Sequence, residues 1–388
     1  MALDETLLVR GVDELKVQLA DISRKIHGSP ELRFEEHKAA AWLSDSIREA
    51  GIEVELGLAG MPTAFRASIG GAGPRVAILA EYDALPEIGH ACGHNLIAAG
   101  ALGAFLTLAK QATALSGRVE IVGTPAEEGG GGKIKLLEAG VFEGVSAAIM
   151  YHPFDRDLLA HPTLANTYVT FDFTGKASHA ALAPWDGTSA LTACMETFRL
   201  IDSQRVHFRD GVRVHGFITR GGEAVNIIPE HASAEFSVRA FQSAELARVL
   251  EIVQRCARGA ALACGVHAEI TVRRGYRDMK NNLALARRFG ERLRALGRSP
   301  RETDPSVGTG STDMGDVSHA VPAIHPWLSI CDENETTCHQ HAFAACAGGP
   351  RGESTMLVAA KALALLTRDV LEDAALRGDA AAEFSSQR

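Results

Sequence analysis

The chain has 388 residues, 46% of them apolar and 22% charged, enough for more than one ordinary core. Its formal net charge of −9 excludes the broad basic face that a nucleic-acid backbone would call for. No run reaches the roughly 18 uninterrupted apolar residues of a membrane span, and the opening MALDETLLVRG has neither a basic nor an apolar signal segment. Seven cysteines at irregular spacing suit free or metal-bound thiols better than a disulfide framework, so a cytoplasmic setting is expected.

In chain order, residues 11–50 read as amphipathic helix, with Val12, Leu15, Val17, Leu19 and Ile22 and then Ala39, Trp42, Leu43 and Ile47 as its apolar positions. Gly28-Ser29-Pro30 breaks it. Residues 75–80 form a short apolar strand that runs into Glu81-Tyr82-Asp83, and 95–110 a buried helix. A second strand at 118–123 ends in Thr124-Pro125-Ala126-Glu127-Glu128, and a third at 145–151 ends in His152-Pro153. Strands alternating with helices predict a mixed, mostly parallel sheet covered on both faces.

The texture then changes. Strands at 168–176, 212–219, 232–240 and 266–274 interleave with helices at 187–203 and 243–264. That β-α-β-β-α-β order is a ferredoxin-like unit. After Asn281 the α/β texture resumes, with a helix to Leu296, a strand near 323–330, a helix at 354–368 and a frayed tail from Asp373. The fold class expected is therefore α/β: a catalytic domain of 1–164 and 279–388, interrupted by an inserted α+β domain at 165–278.

Three successive strands of the first domain end in groups suited to a metal, at the sheet edge where open α/β folds bind ligands. Cys92-Gly93-His94 offers a thiolate and an imidazole two residues apart, both favouring Zn²⁺. Glu127-Glu128 precedes four glycines; one carboxylate on a cation and one left as general base would relieve their repulsion. His152 follows the third strand. Taken singly, a buried Cys beside a surface His is the commoner explanation of Cys92 and His94, a solvated acidic turn is the commoner fate of Glu127-Glu128, and His152 suits a structural role as well as a functional one; their joint occurrence decides in favour of a metal.

These segments also carry a resemblance. Ala80-Glu81-Tyr82-Asp83-Ala84-Leu85-Pro86, His90–Asn95, Pro125–Gly130, Gly175-Lys176-Ala177-Ser178-His179-Ala180, Val225-Asn226-Ile227-Ile228-Pro229 and Gly310-Ser311-Thr312-Asp313 resemble the M20 metallopeptidases. The likeness is greatest to the amidohydrolase branch that includes the aminobenzoyl-glutamate hydrolases. It implies two divalent ions, Zn²⁺ first and Mn²⁺ as the alternative, held by Cys92, His94, Glu128, His152 and a C-terminal His. For that ligand Cys338-His339-Gln340-His341-Ala342-Phe343 offers His339, four residues before Phe343, with His341 as its rival. The resemblance further implies Glu127 as general base and His179 as an oxyanion donor acting across a homodimer formed by the inserted lid. Asn226 and Arg239 become the clamp for a substrate carboxylate.

The activity expected is hydrolysis of an amide bond in a small N-acyl amino acid or dipeptide. An aryl-amide hydrolase of the aminobenzoyl-glutamate type is the alternative, and a non-catalytic metal-stabilised protein is the reading from another class. No nucleic-acid or membrane partner is expected, and whether Cys92 bridges the ions is open.

Overall fold

A helix needs its first N–H groups satisfied, and Asp4 does this for α1 (Glu5–Glu14) by accepting from the amides of Thr6 and Leu7. In the computed structural model, which describes residues 3–387, α1 is followed by α2 (Lys16–Gly28) and α3 (His37–Glu49). The long amphipathic stretch is thus three helices: α2 ends at Gly28, at the expected break, α3 restarts only at His37, and a further break at Leu15 separates α1 from α2. Two strands then follow that the sequence reading does not include, β1 (Val54–Leu56) and β2 (Phe65–Gly70), although in β2 the buried Phe65, Ala67 and Ile69 alternate with Arg66, Ser68 and Gly70.

Next come β3 (Arg75–Ala80), α4 (His94–Ala109), β4 (Arg118–Gly123), α5 (Gly132–Glu138), β5 (Ala147–Ile149) and β6 (His152–Phe154). The inserted segment contributes β7 (Ala165–Thr174), α6 (Ala190–Gln204), β8 (Arg213–Arg220), β9 (His231–Ala240), α7 (Ser243–Cys264) and β10 (His267–Arg274). The chain ends in α8 (Leu283–Ala295), α9 (Met314–Ser318), β11 (Ala323–Ile324), β12 (Trp327–Ser329), α10 (His341–Ala347), α11 (Pro350–Glu372) and α12 (Ala374–Ser386).

These elements form two compact units. One holds the chain up to Pro162, Met279–Thr309 and the chain from Asp313 onward; the other holds Thr163–Asp278 and Gly310–Thr312. The first is built on a six-stranded sheet in the order β1-β2-β4-β3-β5-β11. The β3–β4, β3–β5 and β5–β11 pairs are parallel, whereas β1–β2 and β2–β4 are antiparallel. Helix α4 is buried from His94 to Leu108. It packs against β3 on one side and α2 and α11 on the other, which is why its sequence lacks a polar stripe.

The second unit is a four-stranded antiparallel sheet in the order β10-β7-β9-β8. Helices α6 and α7 pack together over one core with Phe171, Phe173, Phe236 and Val253.

Three expectations are corrected. The segment from Asp373 is not frayed: Asp373 caps α12 by accepting from the amides of Ala375 and Leu376, Ala380 is buried, and Glu383 accepts from the amides of Leu283 and Ala284. The strand expected near 323–330 is two. β11 joins the main sheet beside β5, while β12 leaves it to pair with β6. The break falls at His325-Pro326, because proline has no N–H to continue a ladder; the Pro326 carbonyl instead accepts from the His152 amide. The expected strand at 145–151 is shorter, Ala147–Ile149, and after Met150-Tyr151 the chain continues as β6, so two neighbouring strands leave the sheet together and open its edge. No described helix is long and apolar enough to cross a membrane, and all seven cysteines are free.

Candidate metal centre

Strand β3 delivers Asp83, buried, just past its carboxyl end. His94 Nδ1 donates to Asp83 Oδ1 at 3.0 Å and to the Asp83 carbonyl at 2.9 Å. The other carboxylate oxygen, Oδ2, accepts from the Glu128 amide at 2.8 Å. With one proton held on Nδ1, the His94 ring turns Nε2 inward, the arrangement by which a carboxylate orients a metal-binding imidazole. The thiol two residues earlier reaches the same point because Gly93 is left-handed, with φ of 75°. A side chain there would also strike Pro153, whose Cγ lies 2.8 Å from the position of its Cβ.

The turn after β4 is strained in a comparable way. Ala126 has φ of 61°, costly for a residue with a Cβ. Its amide donates to Glu36 Oε1 at 2.9 Å, and Glu36, itself buried, also accepts from Thr63 Oγ1. That grip directs both Glu127 and Glu128 inward. Gly132 closes the turn, its backbone so near the Pro125 carbonyl that any Cβ would stand 1.8 Å from the oxygen. His152 Nδ1 donates to the Pro153 carbonyl at 2.7 Å, which again leaves Nε2 as the lone-pair atom. His339, also left-handed with φ of 68°, is tied by its amide to the Ala91 carbonyl and brings Nε2 to 3.4 Å from Glu128 Oε1.

The ligand atoms gather in three overlapping sets: Cys92, His94 and His152; Cys92, Glu128 and His339; His94, Glu127 and Glu128. Within each set they lie no more than 4.8 Å apart. All five residues expected to bind metal are therefore brought together with Glu127. His341 begins α10, is exposed and is in none of the sets.

The surroundings suit cations. His94 Nε2 and Glu128 Oε1 are buried without a hydrogen-bond partner, a costly state unless a positive charge lies beside them. Burial, together with the charges of Glu128, Glu81 and Asp313, pushes the Glu127 carboxyl well above the usual range. The neighbouring Cys338 thiol and burial do the same to the Cys92 thiol. Burial opposes a charge on His94, but Asp83, Glu81 and Glu128 together outweigh it and raise the ring well above its ordinary value. His152 goes the other way: burial drives it down to about 4, keeping it neutral and able to ligate. The site is thus rich in groups that hold protons where a cation is lacking and release them to one.

Several neighbours carry no signal of their own in the sequence. Asp83 and Glu81 look there like ordinary strand-end residues, and Lys133 like a surface lysine. Fully buried, Lys133 donates to Glu81 and Asp313. His325, at the point where the sheet opens, is buried with its ring 5.3 Å from that of His152. The one signal for it is a His-Pro pair ending an apolar run, the same signal that marks His152.

The remaining expected residues lie in the second unit. The loop carrying His179 pairs with the one carrying Asn226: Ala180 donates to the Asn226 carbonyl and Ile228 to the Ser178 carbonyl, both at 2.9 Å. The His179 Nδ1 accepts from the amides of Ala181 and Leu182, so its ring carries the proton on Nε2 and is a donor. Arg239, half-buried on β9, stands in register with Arg213 of β8 and Asn166 of β7. Two guanidinium groups directly opposite each other repel, and among the described residues neither has a carboxylate partner.

Comparison with known proteins supplies the family. Residues 77–368 match the model for peptidase family M20/M25/M40. The chain belongs to the M20 peptidase family. It is 38% identical to a Mus musculus Xaa-Arg dipeptidase, over 96% of this chain and 90% of that one. Identity to one of the polypeptides of the Escherichia coli K12 p-aminobenzoyl-glutamate hydrolase is 29%, over 92% of this chain and 89% of that one. A solved Bacillus subtilis M20 structure, described as a dinuclear metal-binding peptidase, superposes with a TM-score of 0.74 at 25% identity, covering 93% of this chain and 99% of that one. This M20 protein is accordingly a metallohydrolase, and the two-unit α/β architecture is that of its family.

Proposed function

We propose that this M20 hydrolase cleaves the amide bond of dipeptides or N-acyl amino acids that end in a free carboxylate. The observation that carries the reading is the buried Glu127, set among the metal-ligand groups yet not needed to complete the set of Cys92, His94, Glu128, His152 and His339. A carboxylate placed there beyond the five is in position to act as the base of a hydrolytic reaction.

Those five side chains would hold two ions, Zn²⁺ by preference because thiolate and imidazole are suited to it, with Mn²⁺ as the alternative. When bound, the ions supply the positive charge that polarises a carbonyl and lowers a water pKa toward about 7. Glu127 takes the proton of the attacking water and delivers it to the departing nitrogen. His179, a donor at Nε2, stabilises the oxyanion. Arg239 and Asn226 bind the substrate carboxylate; among the described residues Arg239 has no ion pair to surrender, and its fork suits two oxygens.

The second unit is proposed to pair with a second copy of itself, so that His179 serves the partner's site. Edge strand β8 exposes Phe217 and Ile218, and α6 exposes Met195 and Leu200, an apolar surface that a partner copy would cover. Xaa-Arg dipeptides and aminobenzoyl-glutamate, the substrates in the names of two relatives, head the assay panel.

Glu127→Gln is expected to keep its metal while turnover falls by at least about 10²-fold, and Glu128→Gln to lose metal. A metal-free or fully active Glu127→Gln protein would reverse the assignment of the two carboxylates. A good substrate should be turned over far faster than its carboxamide, by roughly one to two decades, since a charged hydrogen bond contributes about 1.5–3 kcal/mol. Arg239→Ala should nearly abolish that preference; equal turnover of acid and amide by the unmodified enzyme would sink the carboxylate clamp. If His179 works across a dimer, inactive His179→Ala and Glu127→Gln proteins should regain activity when mixed and allowed to exchange subunits. A His179→Ala variant that is inactive and never rescued by mixing contradicts the shared site.

A further inference from the structure

Glu81 has no part in the five-ligand set, yet its side chain is fully buried one residue past β3. Oε1 accepts from Lys133 Nζ at 2.5 Å. Lys133 is held in turn by Asp313, whose Oδ1 accepts from the same ammonium at 2.7 Å and whose Oδ2 accepts from the Lys133 amide at 3.0 Å. The lysine is therefore clamped between two carboxylates, with only one oxygen of Glu81 engaged.

The second oxygen, Oε2, is buried and has no hydrogen-bond partner. It stands 3.5 Å from His94 Nε2, which is likewise buried and unpartnered. With the Nδ1 proton of His94 committed to Asp83, these two atoms can face each other in a dry interior only across a positive charge. A proton alone would draw such a pair into a charged hydrogen bond of about 2.7–2.9 Å. The observed gap suits a larger ion: an N and an O donor each about 2.0–2.2 Å from one Zn²⁺ stand roughly 3.4 Å apart at a tetrahedral angle.

We propose that Glu81 is a further ligand of the ion carried by His94, presented through Oε2 alone because Lys133 and Asp313 occupy Oε1. The inference rests on the reading of this cluster as a dinuclear centre and adds a hard oxygen donor to it. A carboxylate in place of a soft ligand raises tolerance of Mn²⁺ relative to a set of thiolate and imidazoles. Lys133 and Asp313 are then positioning residues, which act on the ion through Glu81.

The test is binding, measured without substrate. Metal-free full-length protein is titrated with Zn²⁺ against a chromophoric chelator, and separately with Co²⁺ followed by its visible absorption. Glu81→Gln keeps the shape and an acceptor for Lys133; it should weaken one of the two ions by about 10-fold or more and alter the Co²⁺ spectrum. Lys133→Met leaves the carboxylate but frees Oε1, so the spectrum should change with a smaller loss of affinity. Glu81→Asp, which keeps the charge but shortens the reach, should weaken the same ion and serves if the Gln variant does not fold. Affinity and spectrum matching the unmodified protein, with only the metal-free unfolding temperature lowered, would make Glu81 a mere partner of Lys133 and overturn the proposal. An unmodified protein that bound no metal would instead remove the dinuclear reading on which the proposal rests.

Discussion

One carboxylate ties the centre together. Asp83 accepts from the His94 ring with one oxygen and from the Glu128 amide with the other. It thereby joins candidate ligands that arrive from the loops after β3 and β4, two neighbouring strands of one sheet. Charged hydrogen bonds of this kind contribute about 1.5–3 kcal/mol each. Their larger effect is directional: the orientation of the His94 ring, the inward aim of Nε2 and the path of the Glu127-Glu128 turn all follow from where Asp83 stands.

The rest of the chain makes that position rigid. β3 is paired on both sides, to β4 and β5, so Asp83 follows directly from a strand that cannot slide. The left-handed Ala126, a conformation costing about 1–3 kcal/mol, is held by Glu36. On the far side the sheet opens: β5 stops at Ile149, Pro326 follows the end of β11, and β6 and β12 run off as a separate pair. His152 and His325 sit at that opening. A site assembled this way accumulates negative charge that Lys133 alone does not balance, which is the physical reason that it suits cations.

Legibility in the sequence depended on whether a residue's role is local. β3 and β4 were readable to the residue, since each is an apolar run closed by turn residues. Cys92, His94, Glu128 and His152 stood out because they follow strand ends, and their ligand atoms do converge. His339 is distant in sequence and lies on a loop, so only family likeness singled it out, and the same holds for His179, Asn226 and Arg239. Asp83, Glu81 and Lys133 escaped because a charged residue in a loop ordinarily faces water; nothing local says that these three are buried together. The helix α12 was missed because its Ala/Gly/Ser-rich stretch has little apolar periodicity, and tertiary bonds to Asn282 and Leu283 stabilise it. The paired breaks after β5 and β11 depend on which strands become neighbours, which local pattern does not encode.

If Asp83 orients ligands on two strands at once, chelator competition on Asp83→Asn should reveal it without any substrate. The substitution preserves shape but replaces one acceptor oxygen with an NH₂ group, so either the His94 or the Glu128 contact is lost. Metal affinity should fall about 10- to 100-fold, the scale seen when a partner of a metal-binding histidine is removed, while the metal-free protein stays folded. Asp83→Asn protein that binds both ions as tightly as the unmodified chain would show that the centre does not depend on this carboxylate.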